Sequence, residues 1–180
     1  MINVFATGGL YQEAENLFEV MQRDGHSPDS FTYISLVRAY TVSLKYAEAE
    51  KTIDSMQKRG ISVSCVQFNL LLSALAKAGL MAEAERVYGR LLGAGLNPDL
   101  ACQRTMLRGY MDYGHLEEGI RFFESISKFV ESDKFIMSAA VHLYKSAGKE
   151  EKAEAILESM SGAEIVFMEN LKVGLKLKPR

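Results

Sequence analysis

The chain has 180 residues, 48% apolar and 24% charged, which excludes a disordered chain because there is enough apolar surface to offset chain entropy. No apolar run approaches the roughly eighteen residues of a transmembrane helix, so no membrane role is expected. With 21 basic and 23 acidic residues the formal net charge is −2, so there is no global basic field and any nucleic-acid binding must come from a local surface.

Taken in chain order, the sequence repeats itself. Residues 1–29 read as a truncated unit with Gly9, then Ala14, Leu17, Phe18 and Met21. Their i, i+3, i+4, i+7 spacing is one apolar face of a helix. The unit closes on Gly25 and Pro28-Asp29. In residues 30–64, Phe31, Tyr33, Leu36, Val37 and Tyr40 mark a first helix. Ala49, Thr52, Ile53 and Met56 mark a second, ended by Lys58-Arg59-Gly60. Residues 65–99 follow the same plan, with Val66, Phe68, Leu71, Leu72 and Leu75, then Ala84, Val87, Tyr88 and Leu91, then Gly95 and Pro98-Asp99. Residues 100–133 form a unit one residue shorter, and 134–162 a degenerate one. In 163–180, Ile165, Val166, Met168 and Leu171 predict a final capping helix with a basic tail.

Several columns keep this phase. Ala14, Ala49, Ala84, Gly119 and Ala153 step by 35, 35, 35 and 34, as do Met21, Met56, Leu91, Ile126 and Met160. Acidic pairs such as Glu48 and Glu50 crowd the start of each second helix and complement its dipole. Glycines such as Gly25 and Gly60 sit where a helix ends. The links at Gly79, Gly114 and Gly148 are short enough to force an antiparallel helix pair. A two-helix unit cannot bury its apolar face alone, but stacked units can. The expected fold is all-α, an α-solenoid of two-helix repeats forming one continuous domain.

These columns resemble the pentatricopeptide repeat family, whose unit is a 35-residue helical hairpin of the pattern V-x-T-Y-N…G…A-x-x-L-F-x-x-M…G-x-x-P-D. The resemblance covers nearly the whole chain. It implies sequence-selective binding of single-stranded RNA in plant organelles, chloroplast or mitochondrion, in RNA processing, editing, splicing or translation. One repeat would read one base, through its fifth and last residues, with the second residue flanking the base. On that frame Asn69 and Asp99 are the base-reading pair and Val66 the flanking residue. In the family an Asn–Asp pair favours uracil; a side-chain amide can pair with a pyrimidine edge while a carboxylate orients it. Phe31 is the flanking residue of the preceding unit, whose fifth residue, Ile34, has no hydrogen-bonding group and whose last is Ser64. In the following unit Arg104 and Asp133 take the two positions; Arg104 either contacts RNA or is a solvated helix residue. The unit from Lys134 offers Ser138 and Phe135. Lys77 matches a family position that meets phosphate, and Arg38, Arg104 and Arg108 are the other basic residues of first helices that can face a groove. The first unit lacks its fifth residue, and a longer array is expected before Met1.

Nothing in the sequence points to catalysis. There is no nucleophile–His–acid set, no glycine-rich phosphate loop and no HxE…CxxC metal motif, so neither an enzyme, a metal nor a cofactor is expected. Cys65 and Cys102 read as small core residues. The competing function class is a protein-interaction scaffold or end cap, since a helical repeat surface can take peptides as well as RNA. Self-association through the truncated edge at Val4 and Phe5 is a further expectation.

Overall fold

In this computed structural model the described residues are Gly8, 10–127, 133–160, Gly162, Ile165, Phe167 and Met168. Among them are nine numbered α-helices: α1 Tyr11–Arg23, α2 Ser30–Val42, α3 Tyr46–Lys58, α4 Cys65–Lys77, α5 Met81–Gly93, α6 Leu100–Tyr113, α7 Leu116–Ile126, α8 Lys134–Ser146 and α9 Glu150–Ser159. They alternate as first and second helices of the repeat, a helical repeat solenoid. The expected capping helix falls outside the described residues except at Ile165, Phe167 and Met168, which are helical; the edge at Val4 and Phe5 also falls outside them.

The chain divides into two compact units, Met1–Cys102 and Gln103–Arg180. In the first, α2 packs on α1, α3 and α4, and α4 packs on α3 and α5. First helices therefore lie in the middle, and their sequences show why. α2 buries Tyr33, Leu36, Val37, Ala39 and Tyr40, and α4 buries Phe68, Leu71, Leu72, Leu75 and Ala76. Second helices bury a single stripe, Ala49, Thr52, Ile53 and Met56 in α3 and Met81, Ala84, Val87 and Leu91 in α5. The acidic residues of that layer also tie neighbouring repeats together. Glu50 of α3 accepts from Arg86 of α5 at 2.6 Å and from Arg90, which also reaches Asp54. Such pairs add little each; the apolar stripe carries the stacking.

In the second unit α8 packs against α7 and α9. Lys149 and Lys152 reach Glu117 and Glu124 at 2.7 and 2.8 Å, the same kind of tie between second helices. Here the small-residue column holds Gly119, and the packing explains it. A Cβ at Gly119 would lie 2.9 Å from Tyr110 Cβ and 2.9 Å from Leu143 Cδ2. Gly119→Ala restores the residue of the other repeats and gains about 1 kcal/mol of helix propensity. Overpacking costs about 1–3 kcal/mol, and Tyr110 Cβ cannot swing away. A net loss of about 1 kcal/mol is expected by urea denaturation; a gain in stability would contradict this packing.

Turns within and between repeats use one device. The amide three residues beyond the helix closes on a carbonyl of the last turn, as His26 N–H does on Met21 O at 2.9 Å and Lys45 N–H on Tyr40 O at 2.8 Å. That closure places the residue between in the left-handed region. Gly79 (φ 77°) fills it between α4 and α5, but Leu44 (φ 59°) fills it between α2 and α3. Leu44 is 70% exposed, so little burial offsets the strain of about 1–2 kcal/mol. After the entropic cost of glycine, Leu44→Gly is expected to raise stability by about 0.5–1 kcal/mol, read as a higher thermal midpoint.

Candidate nucleic-acid interface

The last residue of each repeat opens the first helix of the next. Asp29 accepts from Thr32 N–H at 2.8 Å, Asp99 from Cys102 N–H at 2.8 Å and Asp133 from Ile136 N–H at 3.0 Å. Ser64 does the same in a capping box with Gln67. Asp and Ser suit this place because a short side-chain oxygen reaches the unpaired N–H groups of a first turn. The cap fixes the carboxylate at the N-terminal end of the next first helix.

Asp99 makes a second use of that fixed position. Asn69 Nδ2 donates to Asp99 Oδ1 at 3.2 Å and to Oδ2 at 3.1 Å. The fifth and last residues of the 65–99 repeat are therefore joined, and capping and pairing are compatible roles of one carboxylate. Burial pulls the Asp99 carboxyl upward, but the Cys102 N–H and the Asn69 amide outweigh it and hold it below its ordinary value. The charged form is the one that holds Asn69.

Sequence reasoning missed Cys102. It is buried, as read, but its thiol also donates to Asn69 Oδ1. Burial pushes that thiol up to about 12, with the Asp99 charge adding to the effect, so it stays a protonated donor. The amide of Asn69 thus has its nitrogen against a carboxylate and its oxygen against a donor. A flip would set carbonyl oxygen against carboxylate, so one orientation is fixed. The remaining Nδ2 hydrogen and Oδ1 lone pair form an adjacent donor and acceptor. The signal was the register: Cys102 follows Asp99 by three residues, where the first helical turn points back at the cap. The Cys65 thiol donates to Asn97 O at 3.1 Å.

A groove of about 690 Å³ runs between α2 and α4. Four of the residues singled out from sequence line it: Arg38, Val66, Asn69 and Lys77. Val66 is 48% exposed and Phe31, at the same place one repeat earlier, 60%. Arg38 Nε is buried with no protein acceptor among the described residues. Thr41, Val42 and Leu44 add an apolar rim that the sequence reading did not assign.

Other expected residues are placed differently. Arg104 grips Asp133, with Nε donating to Oδ1 at 3.2 Å and Nη2 to Oδ2. It is not merely solvated; the fifth and last residues are again joined. Arg108 pairs with Asp112 of its own helix at 3.6 Å, so its charge is partly offset. Ser138 is fully buried and its hydroxyl donates to Lys134 O at 2.6 Å. It presents nothing to a ligand. Among the described residues no group of His, Cys, Asp and Glu could hold a metal ion, and no helix is long and apolar enough to cross a membrane.

Comparison with known proteins follows the same register. No curated protein matches the chain. Among solved structures it is similar to the pentatricopeptide repeat protein PPR10 from maize, at 25% identity and a TM-score of 0.76 over 96% of this chain and 25% of that one. The same protein in complex with an 18-nt psaJ RNA element matches at 25% identity and a TM-score of 0.70, over 94% and 25%. The chain thus spans about a quarter of that relative. The PPR domain of Arabidopsis thaliana protein-only RNase P 1, in complex with tRNA, shares the fold at 13% identity and a TM-score of 0.69, over 95% of this chain and 94% of that one. A pentatricopeptide repeat domain model matches residues 16–78, and a PPR repeat model matches 1–26 and 68–96. Together these span residues 1–96, more than half of the sequence, and the chain belongs to the pentatricopeptide repeat family.

Proposed function

We propose that this chain is part of a continuous pentatricopeptide repeat array that binds single-stranded RNA selectively, with Asn69 and Asp99 reading a uracil. The observation that carries the reading is the single groove that Arg38, Val66, Asn69 and Lys77 share. A pyrimidine edge would meet the donor and acceptor of Asn69. Val66 and Phe31 would lie against base faces, since exposed apolar side chains at a repeated position offer stacking surface to any base. Arg38 and Lys77 would meet phosphates. By likeness to the plant relatives, the RNA would be an organellar transcript, and the process its maturation, editing, splicing or translation.

A second reading is favoured by the apolar rim at Val42 and Leu44, which suits a protein ligand. Fluorescence anisotropy with labelled single-stranded RNA over a salt series separates the two. Each phosphate contact contributes about −0.7 to the slope of log affinity against log salt. Two contacts give a slope near −1.4, and Lys77→Ala is expected to flatten it by about 0.7. No binding at low salt would favour the protein-ligand reading.

A further inference from the structure

The repeat of residues 100–133 carries a different pair, and its geometry is specific. Arg104 Nε and Nη2 each donate to one oxygen of Asp133. That uses the side-on edge of the guanidinium. Asp133 is itself held from below by Ile136 N–H at 3.0 Å, and its side chain is 9% exposed. The Arg104 side chain is 48% exposed. A guanidinium is planar and has five N–H donors and no acceptor. Two are spent on Asp133. Of the remaining three, one on Nη2 and one on Nη1 are parallel, and they form the end-on fork.

Asp133 also neutralises much of the charge of Arg104, which weakens its pull on a phosphate; what survives is a directional pair of donors. A donor-only fork matches a base edge with two adjacent acceptors. Guanine has such an edge at O6 and N7, and cytosine at N3 and O2. Adenine sets an amino donor beside each of its ring acceptors on that edge, and uracil sets N3–H between its two carbonyls, so each would meet the fork with a donor. The geometry points to Arg104 as a base-reading residue that selects guanine or cytosine over adenine and uracil. The inference rests on the RNA-binding reading given above.

The test is selection of short RNAs from a random pool by the full chain and by its Arg104→Lys, Arg104→Ala and Asn69→Ala variants. One selected position should be enriched about 5- to 100-fold in guanine or cytosine, the range of a bidentate contact. Arg104→Ala should lose that enrichment while the Asn69-dependent uracil preference remains. Lysine keeps the charge and can still donate to guanine O6 and N7 but has no planar fork, so Arg104→Lys should lower the enrichment and leave the salt dependence of binding unchanged. If guanine is selected, 7-deazaguanine in its place should weaken binding to the wild-type chain and leave Arg104→Ala unaffected. A guanine or cytosine preference that persists in Arg104→Ala overturns the inference. So does a uracil preference with no second selective position. Failure to bind any RNA overturns the RNA-binding reading itself, and this inference with it.

Discussion

Asp99→Ala is expected to lower stability by about 1–2 kcal/mol, the cost of a lost N-cap, and to erase uracil discrimination in the same step. Both effects follow from one carboxylate. It accepts the Cys102 N–H at 2.8 Å and both contacts of the Asn69 amide. Without it, Asn69 keeps only the Cys102 thiol as a partner and its amide is free to rotate. Asp99→Ser separates the roles. Serine caps a helix nearly as well, as Ser64 does for α4, but one hydroxyl oxygen cannot reproduce the two-oxygen hold. The Ser variant should therefore stay within about 0.5 kcal/mol of wild type in urea denaturation and still lose the preference for uracil over adenine. A Ser variant that retains that preference would show that the carboxylate only caps.

Phe68→Ala should have the largest effect on folding. Phe68 is 1% exposed in α4, the helix that contacts α2, α3 and α5. Truncating a fully buried phenylalanine costs about 3–5 kcal/mol, a large part of the roughly 5–15 kcal/mol that keeps a domain folded. A repeat stack is stabilised by contacts between neighbours, so the defect should weaken the repeats on both sides of it. Circular dichroism melting is expected to show a lower and broader transition. A melting curve identical to wild type would mean that the first helices do not form the core described.

Much of this architecture was legible because the repeat restates itself. A single apolar face at Leu17, Phe18 and Met21 is ambiguous, but the same columns in four further registers are not. The fifth and last positions were legible by register, and Asn69 and Asp99 do meet. The fate of Arg104 was not legible, because an arginine at an exposed helical position has many partners within reach. Only the capped, fixed orientation of Asp133 selects one. The burial of Ser138 was not legible for a similar reason: its hydroxyl can satisfy itself on the carbonyl one turn back, at Lys134, and a small side chain is easily covered. Cys102 carried only a positional signal, three residues after Asp99. Its role appears only once Asp99 caps α6 and brings the third residue of that helix beneath Asn69. Leu44 stands where other repeats have Gly79, Gly114 and Gly148, and its strain shows only in the backbone.

The central claim is that Asn69, held by Asp99, reads uracil. Anisotropy titration of labelled oligo-U and oligo-A against the chain and its Asn69→Ala variant tests it most directly. Tighter binding to oligo-U is expected, by about 5- to 30-fold for one oriented polar pair, with equal binding of the two RNAs by Asn69→Ala. Equal affinity of the wild-type chain for both RNAs, or a uracil preference unchanged in Asn69→Ala, would contradict it.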